Sequence, residues 1–234
     1  PQNMPPPHFL DYDWRFTEKT ARWIIEASAE YRKRGEVCYL GCPTLALWHG
    51  LLRPNDTQWV LLDRGHHALD SWKEQLLVGK RHCEYDVFGA LPKDMKGRFS
   101  VVVTDPPWYH TEYMAFCRRA AELIADGGVV LLTAYPLTLP YDLGKASRLR
   151  RFMLEEFGRP CLLGSFEIDY EIPEFERAWG GHEQFRNLVL DMYRPGYMDA
   201  YLLRRNERPG SEQIIPVPAR PLPGVLVLGD GHYV

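Results

Sequence analysis

The sequence predicts a doubly wound α/β fold, a mostly parallel sheet of seven strands with an antiparallel last strand, and three observations carry that expectation. Strand-like apolar runs alternate with helical segments along most of the 234 residues, as right-handed crossovers in a parallel sheet require. The runs are short and continuously apolar, as in Val101-Val102-Val103, which suits strands buried on both faces. Two strand-like runs then follow one another closely near the end, as an antiparallel addition would.

The elements follow in order. Residues 1–13 are Pro-rich and read as part of an extended arm. Thr17 can cap a first helix whose apolar series Ala21, Trp23, Ile24, Ala27 and Tyr31 stops before Arg34-Gly35. Residues 37–40 make a buried strand, Gly41-Cys42-Pro43-Thr44 the turn, and Pro43 suits the first turn of a helix through Leu45, Leu47, Trp48 and Leu51. A second strand over 58–62 closes on Asp63, and a helix over 68–77 covers it. Residues 81–87 form the third strand, with Asp86 near its end, and 99–104 the fourth. A helix over 111–124 stops at Asp126-Gly127-Gly128, before a fifth strand over 129–134. Residues 146–157 read as helix, 161–168 and 187–193 as the last two strands. Beyond Arg194, periodicity fades apart from Gly224-Val225-Leu226-Val227-Leu228. The expected organisation is an arm over 1–15, one catalytic domain over 16–195 and an extended C-terminal segment over 196–234.

Composition narrows the function. The net charge of −3 gives no global field toward nucleic acid, and basic groups such as Arg148-Leu149-Arg150-Arg151 read as solvated helix faces or ends. Five cysteines without paired spacing fit a reducing compartment rather than a disulfide framework or a zinc knuckle. No run approaches the roughly 20 apolar residues of a membrane span, and the opening Pro1-Gln2-Asn3-Met4 lacks a secretion-signal layout, so a cytoplasmic protein without a membrane partner is expected. His66-His67, with Asp63 and Asp70 nearby, match no metal-ligand pattern, and no metal is expected.

The most informative stretch is Asp105-Pro106-Pro107-Trp108, directly behind the fourth strand. A strand ending in a carboxylate, two prolines and an aromatic ring delivers an acceptor, a rigid backbone and a flat apolar face to the edge where open α/β sheets place ligands. The carboxylate can accept one N–H of an amine while the Pro106 carbonyl accepts the other, which aims the nitrogen lone pair. Trp108 or Tyr109 can stack on a base or cover a cation.

The turn at Gly41 to Thr44, with Asp63 about twenty residues on, is the layout of a nucleotide-cofactor site. Only one glycine is present and Pro43 has no N–H, so a phosphate-free cofactor such as S-adenosylmethionine suits this turn better than a dinucleotide.

In sequence order, Phe16-Thr17-Glu18-Lys19-Thr20-Ala21, Cys42-Pro43-Thr44-Leu45, Leu62-Asp63-Arg64, Tyr85-Asp86-Val87 and residues 99–108 resemble a family labelled probable adenine-N6 methyltransferases, whose eukaryotic members are elongation-factor lysine methyltransferases. The resemblance spans residues 16–193 and implies a Rossmann-like methyltransferase sheet. It implies that Gly41, Cys42, Pro43, Thr44, Asp63, Arg64, Asp86 and Val87 line an S-adenosylmethionine site, and that Asp105, Pro106, Pro107 and Trp108 hold the target nitrogen; Tyr109 beside the motif, Tyr135 after the fifth strand and Trp179 in the later aromatic segment read as substrate contacts by their rings. The chain departs from the family around residues 136–151 and 167–184. The acidic, aromatic segment from Phe166 to His182 is similar to part of the branched-chain polyamine synthases, which transfer an aminopropyl group from decarboxylated S-adenosylmethionine.

Three functions follow as expectations. The first is an N-methyltransferase acting on an amino nitrogen of a protein, peptide or nucleic-acid base; the second is aminopropyl or aminocarboxypropyl transfer to an amine such as a polyamine. The third is a non-catalytic binding subunit, against which Asp105 argues.

Overall fold

The computed structural model describes residues 15–33, 35–65, 82–107, 109–134, 157, 161–171, 196–203 and 225–226. The expected helix over 68–77, the expected helix over 146–157 apart from Phe157, and the expected strand over 187–193 lie outside these residues. The described elements are α1 (Glu18–Arg32), β1 (Val37–Leu40), α2 (Pro43–Leu52), β2 (Trp59–Asp63), β3 (His82–Glu84), β4 (Phe99–Thr104), α3 (His110–Leu123), β5 (Ile124–Thr133), β6 (Cys161–Ile168), β7 (Gly196–Leu202) and the two-residue β8 (Val225–Leu226). They form one sheet in the order β3-β2-β1-β4-β5-β7-β6-β8.

Strands β3, β2, β1, β4 and β5 are parallel, and β7 runs antiparallel between β5 and β6. This is the mostly parallel, doubly wound sheet that the alternation of runs predicts. Its strands are apolar throughout because both faces are covered. Val37, Tyr39, Leu61, Val101 and Val103 pack with α1 and α2 on one face, and their neighbours Cys38, Leu40, Leu62 and Val102 pack with α3 on the other.

Helix α1 starts where Thr17 accepts a hydrogen bond from the Thr20 amide at 3.3 Å, and it buries the stripe Ala21, Ile24, Ile25, Ala27 and Ser28. Pro43 opens α2, where its missing N–H costs nothing.

Three boundaries differ from the sequence expectation, the first at β3, which ends at Glu84 rather than residue 87 and leaves Asp86 beyond the strand. Strand β5 begins at Ile124 rather than Val129: Ile124 pairs with Phe99 and Val129 with Val101, and the residues between bulge out. Gly127 takes φ 72° there, so the glycines that read as a helix stop instead serve the bulge. Strand β7 falls in the segment expected to be extended and aperiodic. It buries Met198 and Ala200 while Tyr197 is exposed, a half-buried alternation that Asp199 and the preceding Pro195-Gly196 obscure in the sequence. No helix among the described residues is long and apolar enough to cross a membrane.

A polar group is buried between β1, α2 and β2. The Tyr39 hydroxyl donates to His49 Nδ1 at 2.6 Å, and His49 Nε2 lies 3.2 Å from the Asp56 carboxylate, which Arg32 also holds at 2.7 Å. That pattern is satisfied by the neutral imidazole carrying its proton on Nε2. Burial lowers the His49 pKa to about 4, against the opposing pull of Asp56. The folded pKa lies below the unfolded value, so the stabilisation is present above about pH 6.5 and is lost as the pH falls toward 4. Denaturant titrations at pH 7 and pH 5 should differ by about 2 kcal/mol from this residue alone, and His49→Gln should remove that part of the difference.

Candidate functional site

The chain runs from β1 to β2 on one side and returns to β4 on the other, so β1 and β4 flank the point where the winding reverses. Ligand crevices of open α/β sheets form there, beyond the carboxyl ends of the strands. Leu40 is paired with both Leu62 and Thr104, which brings the residues that follow, Gly41, Asp63 and Asp105, to one edge. The Thr104 hydroxyl donates to the Leu40 carbonyl at 3.0 Å and pins the end of β4 to that of β1.

Gly41 leaves β1 with φ 65°, and its amide donates to the Leu62 carbonyl at 2.8 Å. A Cβ at this position would lie 2.4 Å from Phe116 Cε1 on α3, so both conformation and space demand glycine. Cys42, Pro43 and Thr44 are buried at the start of α2. Asp63, buried at the end of β2, accepts from the Gly65 amide at 2.8 Å, whereas Arg64 is exposed. Beyond β3, the Asp86 carboxylate is exposed and accepts from the Phe88 amide at 2.9 Å, and the Val87 carbonyl accepts from Arg119 at 3.1 Å. Asp86, Asp63, Gly41 and Asp105 therefore lie at or just past the carboxyl ends of four adjacent parallel strands, in sheet order.

Asp105 is half-buried, Pro106 buried and Pro107 exposed, while Tyr109 is 72% exposed. Trp108, Tyr135 and Trp179 lie outside the described residues.

The structure adds a residue that spacing did not reveal. The Tyr170 hydroxyl donates to Asp105 Oδ1 at 3.0 Å. Burial, followed by the charge of Asp105, raises the Tyr170 phenol well above its ordinary range, so it is a neutral donor. Tyr170 was legible only as one of several aromatics in an acidic segment, 65 residues from its partner. Nearby, the Tyr113 hydroxyl donates to the Thr133 carbonyl at 2.5 Å and ties α3 to the end of β5. The arrangement presents a carboxylate with a fixed hydrogen-bond donor beside a tight turn and two further carboxylates, an acceptor set suited to hydroxyls and amines.

No curated protein sequence matches the chain. The branched-chain polyamine synthase of Thermus thermophilus, solved in complex with N4-aminopropylspermidine and 5'-methylthioadenosine, is similar in structure, with a TM-score of 0.60 and 18% identity over 87% of this chain and 61% of the synthase. The chain thus spans about three fifths of the length of that relative. The YcgJ protein of Bacillus subtilis has a TM-score of 0.53 at 12% identity, covering 81% of this chain and all of its own. The N-methyltransferase NodS of Bradyrhizobium japonicum has a TM-score of 0.50 at 8% identity, covering 80% of this chain and 98% of its own. These likenesses show a shared fold. The family model described as probable N6-adenine methyltransferase matches residues 9–144, more than half of the sequence, and the chain belongs to that family.

Proposed function

We propose that this chain is an S-adenosylmethionine-dependent N-methyltransferase acting on an amino nitrogen, that of a protein or peptide amine or of adenine N6. The observation that carries the reading is the Asp105 carboxylate at the end of β4, beside the Gly41 turn at the reversal of the sheet. Family membership supports the transferase chemistry. The acceptor set supports the cofactor: Gly41 to Thr44, Asp63, Arg64, Asp86 and Val87 would hold it, the carboxylates accepting from hydroxyls. S-adenosylmethionine supplies a methyl carbon activated by the sulfonium to which it is bonded. Asp105 accepts one N–H of the amine and the Pro106 carbonyl another, so the lone pair is aimed before transfer rather than found by search. The paired prolines restrict the backbone that carries these acceptors. Trp108 and Tyr109 supply a flat face for a base or a cation.

Aminopropyl transfer to an amine is the second reading, favoured by the acidic, aromatic character of the segment that begins at Phe166. It needs the same aligned nitrogen but attacks a different carbon next to sulfur. Calorimetry tests the cofactor and separates the readings: S-adenosylmethionine should bind more tightly than its decarboxylated form, and Asp63→Ala should weaken that binding about tenfold, the loss of one hydrogen bond to a charged group. Preference for the decarboxylated form would favour the second reading, and no heat with either would overturn the cofactor assignment.

A further inference from the structure

Asp105 follows the last residue of its strand, and a carboxylate there has a broad χ2 that leaves its plane loosely set. The Tyr170 hydroxyl on Oδ1 restricts that plane. Tyr170 is itself fixed from the far end of the sequence. Its ring stacks on Phe16 with centroids 5.0 Å apart and planes 22° from parallel. Its backbone neighbours are tied on both sides: the Thr17 amide donates to the Asp169 carbonyl at 3.0 Å, and the Glu171 amide donates to the Arg15 carbonyl at 2.7 Å. The Asp169 amide in turn donates to the Thr20 hydroxyl at 3.0 Å. Thr20 also shares the capping contact of α1, since the Thr17 and Thr20 hydroxyls lie 3.1 Å apart.

We infer that Tyr170 is a positioning residue for the transfer, and that residues 15–20 form a clasp that sets Tyr170 and, through it, the carboxylate that orients the amine. The inference rests on the amine-transfer reading above and deepens it. A tyrosine kept only for packing needs its ring against Phe16 but not a hydroxyl on this carboxylate. The phenol donates without releasing its proton, because burial and the adjacent charge hold it neutral. Its role is to fix one oxygen of Asp105, which is an orientation effect rather than a proton-transfer one. Order then passes from the start of α1 to the end of β4 through two hydrogen bonds, Thr20 to Asp169 and Tyr170 to Asp105.

The test uses Tyr170→Phe, which keeps the stacked ring and removes the hydroxyl, and Thr20→Val, which keeps the shape and removes the acceptor. Tyr170→Phe should lower kcat about tenfold with KM for S-adenosylmethionine and the melting temperature nearly unchanged. Thr20→Val should lower kcat by a smaller factor, and the double variant should be no slower than Tyr170→Phe, because both act through one contact. Unchanged kcat in Tyr170→Phe, or losses that multiply in the double variant, would overturn the inference. If the wild-type protein transfers no group from either donor, the amine-transfer reading has failed. The coupling is still decided in that case by the Asp105 Cγ resonance of carbon-13-labelled protein: displacement in both variants supports the clasp, and an unmoved resonance sinks it.

Discussion

Asp105→Ala should lower turnover by about a hundred- to a thousandfold while leaving the affinity for S-adenosylmethionine within a few fold. The asymmetry follows from where the side chain sits. Asp105 stands past the end of β4, on the far side of Gly41 and β1 from Asp63, so its removal takes an acceptor from the amine without touching the carboxylates proposed for the cofactor. The two positions of the Asp105 oxygens also separate orientation from charge. Asp105→Asn keeps an oxygen that can accept from the Tyr170 hydroxyl and loses the negative charge. It should retain more activity than alanine if orientation dominates, and as little as alanine if the charge dominates. Steady-state rates with saturating donor distinguish the two, since a change confined to kcat belongs to the transfer step and not to binding.

Gly41→Ala should be the most damaging change at the cofactor side. Its φ of 65° costs an L residue about 1–2 kcal/mol, and the new methyl would press on the Phe116 ring at 2.4 Å. The total loss should be about 3 kcal/mol in urea unfolding, accompanied by loss of donor binding, because the turn and the start of α2 must shift. Adding Phe116→Leu should recover the part due to crowding and leave the part due to φ. Stability restored in full by Phe116→Leu would mean that the backbone of Gly41 is not strained by a side chain, and no rescue at all would mean that crowding contributes nothing.

How far the sequence foretold this arrangement depended on whether the signal was local. Strand β4 and its carboxylate were legible because a continuous apolar run met two prolines, and α1 because Thr17 and an apolar stripe agreed on its start. The resemblance pointed to the same sheet by an independent route. Strand β7 was hidden because its burial alternates around Asp199 and it follows a Pro-Gly pair that reads as a terminator. The start of β5 was misplaced because Gly127-Gly128 carries the same composition in a bulge as in a helix stop. The contacts of Tyr170 and of the His49 group were hidden for a different reason: each is made by chain segments that only the fold brings together, across 65 residues for Tyr170 and between separate elements for His49, and no periodicity records those. Phe16 shows the limit well, since the resemblance marked it while only the fold explains it as the ring beneath Tyr170.

Every activity prediction above depends on Asp105 orienting an amine for transfer from S-adenosylmethionine. That role can be checked by mass spectrometry of lysate peptides, transfer RNA and DNA incubated with the protein and deuteromethyl-labelled S-adenosylmethionine. One labelled methyl on an amino nitrogen is expected with the wild-type protein and none above background with Asp105→Ala; label on oxygen or carbon, or undiminished label with Asp105→Ala, would remove Asp105 from that role.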